Sequence, residues 1–122
     1  MADTTTKIAE LRDMVRRFVD ARDWQKFHSP KNLTMALAIE AAELMEHFQW
    51  ISEDASRVIG DDPEKLRAVA EELADVLCYA LAIANELNID VSTAMQEKMD
   101  KNKIKYPAEE YRGRYGPEDP PA

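Results

Sequence analysis

Four acidic residues have the types and spacing that chemistry on a bound cation requires. Glu40 and Glu43 lie in MALAIEAAELMEHFQW, and Glu72 and Asp75 lie in VAEELADVLCYALAIA. Each pair has the i, i+3 spacing that sets two side chains on one helix face. Their neighbours are almost wholly Ala, Ile, Leu and Val, so the helices that carry them should be buried nearly all round and should turn the acids inward. Several carboxylates in a low-dielectric interior cannot all stay ionised alone, because desolvation and mutual repulsion both disfavour the charged form. A divalent cation resolves the conflict, and an all-oxygen donor set favours Mg²⁺, with Mn²⁺ as substitute, over zinc. The adjacent acids Glu46 and Glu71 fall on other faces and read as surface residues.

A carboxylate-bridged di-iron bundle is the competing metal chemistry. It needs Glu-x-x-His on two helices. Leu44 stands three residues before His47 and Gln25 three before His28, so the motif is missing. His47 reads as a helix-face residue near the acids.

The elements that must position these groups are helical. Residues 4 to 23 form an amphipathic helix through Ile8, Leu11, Met14, Val15, Phe18 and Val19. RDWQKFHSPKN breaks the period as an aromatic-rich loop, with Pro30 disfavouring helix at Ser29 and Asn32 as the N-cap of the next helix. The first acid-bearing helix runs from Leu33 to about Ile51, with Glu40, Glu43, His47 and Trp50 along one stripe. SEDASRVIGDD, polar and containing Gly60, suits a connection or a short extra turn. Asp62 before Pro63 is a start signal for the second acid-bearing helix, which extends to about Leu87 and aligns Glu72, Asp75 and Tyr79. NID ends it and caps a helix through Val91, Met95 and Met99, where Lys98, Asn102 and Lys105 repeat at i, i+4, i+7 before Tyr106 and Pro107. The tail EEYRGRYGPEDPPA should pack poorly or cover a partner. Four long helices with short connections predict an all-α, four-helix-bundle-like fold.

Composition narrows the function further. The chain of 122 residues is one domain, and a large active site in it would need a second subunit. With 24 acidic against 16 basic residues the net charge of -8 opposes binding to nucleic acid polymers and to anionic membranes. Cys78 is the single cysteine, so no intramolecular disulfide can form and a reducing, cytoplasmic setting is expected. The N-terminus has no signal-peptide pattern, and no apolar run reaches the ~20 residues of a membrane span. The ammonium and amide groups of Lys98, Asn102 and Lys105 are donors of the kind outer phosphates need. Trp24, Phe27 and Trp50 pack in a core or stack on a base.

Taken together, these residues resemble a known family. Glu40-x-x-Glu43, a spacer of 28 residues, then Glu72-x-x-Asp75 is similar to the EXXE…EXXD signature of the MazG-like all-α nucleoside triphosphate pyrophosphohydrolases. DWQKFHSPKNL, FQW, EELADVLCY and KMDKNKIKYP resemble, in order, blocks of the dCTP pyrophosphatase branch, over roughly residues 8 to 107. The resemblance implies a hydrolase domain over residues 1–107 and a tail over 108–122. It implies Mg²⁺-dependent cleavage between the α- and β-phosphates of a nucleoside triphosphate, dCTP or a modified dCTP, giving monophosphate and pyrophosphate. Glu40, Glu43, Glu72 and Asp75 then match the metal ligands, with Glu40 or Glu43 orienting the attacking water. Lys98, Asn102, Lys105 and Tyr106 match phosphate-holding positions. Trp24, Trp50 and Tyr79 match positions around base and sugar, and His28, in the loop of Trp24, joins them as substrate-binding. Val15 stands where vertebrate members carry a histidine near the base. The implied assembly is a homodimer or homotetramer with sites at subunit interfaces. The alternative is a non-catalytic nucleotide-binding or interaction bundle holding a structural metal.

Overall fold

A computed structural model describes residues 1–116 and 118–120. Among these every regular element is helical. The chain forms two compact units, Met1–Asn88 and the segment from Ile89 onward.

In the first unit, α1 spans Ile8–Ala21, α2 Pro30–Glu46, the short α3 Glu53–Arg57 and α4 Pro63–Leu87. Separate 3-10 turns occupy Ala2–Thr4, Gln25–Phe27 and Ile59–Asp61. The first helix is shorter than its periodicity predicts. Three consecutive β-branched threonines, Thr4 to Thr6, precede it, and its start is fixed by the Glu10 carboxylate accepting from the Lys7 backbone N–H at 2.7 Å. Ser29, not Asn32, caps α2: its hydroxyl accepts from the Asn32 backbone N–H at 3.2 Å, and Pro30 takes the first helical position, where a missing N–H costs nothing. At the other end α2 stops at Glu46 rather than Ile51. His47 and Phe48 donate to the carbonyls three residues back, at 3.3 and 2.9 Å, and this tightening takes Trp50 off the stripe of Glu40 and Glu43.

α4 begins as expected: Asp62 accepts from the backbone N–H groups of Glu64 and Lys65 at 3.0 and 3.3 Å. It ends at Asn88 in the left-handed conformation, φ 53°. α2 packs chiefly on α4, and α1 lies on α4 as well. Val19, Leu33, Ala82 and Ala84 are the enclosed apolar side chains of this arrangement. The expectation that the acid-bearing helices are buried nearly all round does not hold within one chain. Ile39 on α2 is 60% exposed and Leu77 on α4 is 55% exposed. Each helix buries the face it turns to its neighbour and leaves a second apolar stripe uncovered.

In the second unit, α5 spans Val91–Lys105, capped by Asp90 accepting from the Thr93 backbone N–H at 2.9 Å, and α6 spans Ala108–Tyr111. The segment after α5 is more structured than its composition suggests. Tyr106 and Tyr111 meet edge to face at 5.3 Å, and the Asp119 carboxylate accepts from the backbone N–H groups of Tyr115 and Gly116 at 2.8 and 2.7 Å. Pro117, Pro121 and Ala122 of the tail lie outside the described residues.

Candidate active site

The α2–α4 contact brings the acids together. One carboxylate oxygen from each of Glu40, Glu43 and Glu72 lies within 4.8 Å of the others. Glu40 and Glu72 are half-buried, and each hides its Oε2 from solvent with no hydrogen-bond partner. A buried, unpartnered carboxylate oxygen is costly, and here there are two at one point. Asp75 is exposed and is not one of the three converging groups, yet its charge is felt by Glu40, Glu72, Tyr79 and Cys78.

The electrostatics follow from this crowding. Burial first, then the close Glu43 carboxylate, then the charges of Asp75 and Glu72 push the Glu40 pKa up to about 7. Burial and Glu43 likewise raise Glu72, and Asp75 adds to the rise while His47 opposes it. The Tyr79 phenol is raised by burial and by the charges of Glu40 and Asp75. Burial and Asp75 raise the Cys78 thiol, which makes it a poor nucleophile at neutral pH.

The donor set fits a hard divalent cation. Oxygens sharing one Mg²⁺ at about 2.1 Å stand roughly 3 to 4 Å apart, so three carboxylates already within 4.8 Å need little adjustment. A cation there would partner both orphaned oxygens and lower the raised pKa values.

Other predicted residues fall in different places. Trp24 packs edge to face on Phe18 at 5.7 Å and tilts over the His28 ring at 6.3 Å. Trp50 is 87% exposed on the turn after α2, apart from that aromatic group. In the second unit Asn102 is half-buried, Lys98 is exposed, and the Lys105 ammonium lies 5.3 Å from the Tyr106 ring centre.

A feature that the sequence pattern did not single out is a cleft of about 140 Å³ between α1, the Gln25–Phe27 turn and α4. Val15, Val19 and Ala82 form its apolar wall, and Arg16, Asp20, Gln25, His28, Asn85 and Glu86 line the rest. Asp20 and Gln25 straddle the end of α1, where helical periodicity carries no signal. A side-chain hydrogen bond joins them.

Comparison with known proteins agrees with this geometry. The profile of the MazG-like family matches residues 35–115. Human dCTP pyrophosphatase 1 is 40% identical over 101 residues, 83% of this chain and 59% of that protein. The rat dCTP pyrophosphatase 1 is 39% identical over 106 residues, 87% of this chain and 62% of that protein. The chain thus spans about three fifths of the length of these curated relatives. The crystal structure of a pyrophosphatase from Archaeoglobus fulgidus superposes with a TM-score of 0.73 at 43% identity, covering 82% of this chain and 92% of that one. With three of its four paired acids converging on one point and the family profile extending over all four, the chain belongs to the MazG-like family.

Proposed function

We propose that this protein is a Mg²⁺-dependent nucleoside triphosphate pyrophosphohydrolase that converts dCTP or a modified dCTP to the monophosphate and pyrophosphate. The observation that carries the reading is the meeting of three carboxylates with two orphaned buried oxygens, in a chain 40% identical to a dCTP pyrophosphatase.

Glu40, Glu43, Glu72 and Asp75 are the residues that would hold Mg²⁺, or Mn²⁺ in its place, and the ion supplies positive charge for the triphosphate oxygens and the departing pyrophosphate. A carboxylate of the Glu40–Glu43 pair takes the proton of the attacking water. The water oxygen bonds to the α-phosphorus as the bond to the α,β-bridging oxygen breaks, and the electron pair leaves with pyrophosphate. Lys98, Asn102, Lys105 and Tyr106 bind phosphate oxygens, and Trp24, His28, Trp50 and Tyr79 enclose base and sugar. We assign residues 1–107 to the hydrolase and 108–122 to a tail.

A homo-oligomer, dimer or tetramer, is supported by the uncovered apolar stripes: Met35, Ile39 and Met45 on α2 and Leu66, Leu73 and Leu77 on α4 are each about half exposed. Among the described residues no helix is long and apolar enough to cross a membrane, and we place the enzyme in the cytoplasm.

The test is incubation with Mg²⁺ and each common nucleoside triphosphate separately, with products resolved by chromatography. Monophosphate plus pyrophosphate, fastest from dCTP and abolished by chelator, is the expected result. Absence of turnover with all of them overturns the enzymatic reading in favour of a binding bundle.

A further inference from the structure

A second cleft, of about 550 Å³, lies where the end of α2 meets the start of α4. Ile51, Val58 and Ile59 give it an apolar wall, and His47 and Lys65 supply its basic groups. Of the two acids that line it, Asp61 is exposed and Asp62 already spends its carboxylate capping α4. His47 keeps helical backbone angles, φ -69° and ψ -16°. It stands four residues after Glu43, and Lys65 stands seven before Glu72, so each shares a helix face with a converging acid. Glu40 and Glu43 meet Glu72, and His47 and Lys65 line one cleft, so α2 and α4 run antiparallel and the cleft continues the groove that holds the acids. The charge of His47 is felt at Glu72.

Along α4 this groove has a direction. The cleft on α1 is lined by Ala82, Asn85 and Glu86, which follow the acids in the helix, and the second cleft by Asp62 and Lys65, which precede them. A nucleoside triphosphate held at the acids with its sugar and base toward Tyr79 therefore sends its β- and γ-phosphates toward Lys65. This step rests on the pyrophosphohydrolase reading. The seven residues from Lys65 to Glu72 advance about 10 Å, a span that a diphosphate and the long lysine side chain cover together. Among the described residues no hydrogen bond or ion pair engages the Lys65 ammonium or the His47 imidazole. Ammonium bonds to phosphate oxygens are charge-assisted, and an imidazole keeps one N–H donor even when neutral. The apolar wall lowers the local dielectric and strengthens both. The phosphate donors assigned above all belong to the segment from Ile89 onward, whereas this pair belongs to the unit that carries the acids.

We propose that His47 and Lys65 bind the β,γ-diphosphate of the substrate and hold it as pyrophosphate when it leaves. His47, one turn from Glu43, donates to the β-phosphate, and Lys65, two turns from Glu72, donates to the γ-phosphate. As the bond from the α-phosphorus to the bridging oxygen breaks, its electron pair passes to that oxygen on the β-phosphate. Donors fixed there before the reaction stabilise the charge where it develops.

The test is calorimetric titration of the Mg²⁺-loaded protein with inorganic pyrophosphate and, separately, inorganic phosphate. The wild type should bind pyrophosphate at least about tenfold more tightly, because only the longer ligand reaches from the acids into the cleft. Lys65→Met and His47→Leu should each weaken pyrophosphate at least about fivefold while inorganic phosphate stays within about twofold. Lys65→Arg, which keeps the charge, should stay within about threefold of the wild type for pyrophosphate. Neither Lys65→Met nor His47→Leu should weaken the binding of Mg²⁺ alone, which a distorted acid cluster would. No binding of pyrophosphate by the wild type, equal affinity for the two anions, unchanged pyrophosphate affinity in either variant, or a parallel loss of Mg²⁺ affinity overturns the proposal. Turnover of nucleoside triphosphates is scored separately: pyrophosphate binding that depends on His47 and Lys65 without turnover sinks the hydrolase and leaves the diphosphate site standing.

Discussion

Asn85 and Arg12, 73 residues apart, exchange hydrogen bonds in both directions. The Arg12 Nε donates to Asn85 Oδ1 at 3.1 Å, and the Asn85 Nδ2 donates to the Arg12 carbonyl at 3.1 Å. Arg16 adds a bond to the same Oδ1 at 3.2 Å, and Arg12 also donates to the Ala84 carbonyl at 3.1 Å. This lock fixes α1 on α4 beside the cleft, which Arg16 and Asn85 themselves help to line.

Asn85→Ala removes the acceptor shared by two arginines. It should lower unfolding stability by about 1–3 kcal/mol. Denaturant midpoints check it, and a variant as stable as the wild type would show that the lock contributes nothing.

Leu33 is 1% exposed and is the largest fully enclosed side chain. Leu33→Ala should cost about 2–5 kcal/mol. Urea unfolding measures it; a cost below about 1 kcal/mol would mean that the site collapses around the gap.

Glu43→Gln removes one of the converging carboxylates and one source of repulsion on Glu40 and Glu72. Turnover should fall by about 10²- to 10⁴-fold, with an unchanged helical circular dichroism spectrum and no loss of thermal stability without metal. Full activity in this variant contradicts the assignment of the site.

The acid cluster also predicts a pH dependence with a definite sign. The fold raises Glu40 from 4.5 to about 7, so the folded state holds this proton more tightly than the unfolded state. The stability contributed is fully present below pH 4.5 and is lost as pH rises through about 7. In chelator, the melting temperature of the wild type relative to Glu40→Gln should therefore fall between about pH 5 and pH 8. Saturating Mg²⁺ should abolish that fall. Parallel profiles of the two proteins in chelator would refute the crowding.

Leu77, 55% exposed on α4, tests the assembly. A charge there opposes burial against a second copy, so Leu77→Glu should shift the mass seen by light scattering toward that of one 13.9 kDa chain. A wild type that is already monomeric and fully active excludes a shared site.

Much of this architecture is written in local chemistry. Helical spacing and the Asp62–Pro63 start signal locate α4, and the i, i+3 acids in apolar surroundings locate Glu40, Glu43, Glu72 and Asp75, because periodicity and capping act over a few residues. What the chain alone could not rank is where each helix stops and which side it covers. The switch to three-residue hydrogen bonds at His47 moves Trp50 away, and it depends on backbone geometry rather than on residue type. The half-exposed stripes on α2 and α4 look like core in the sequence because apolarity does not say whether the covering partner is another helix of the same chain.

By itself, then, the sequence determined four long helices and the acids they carry, since both depend on side-chain type at fixed short intervals. Only tertiary structure decided that Glu40, Glu43 and Glu72 converge while Asp75 stands aside. Distances between helices follow from packing and from long-range locks such as Arg12–Asn85, which no local pattern encodes.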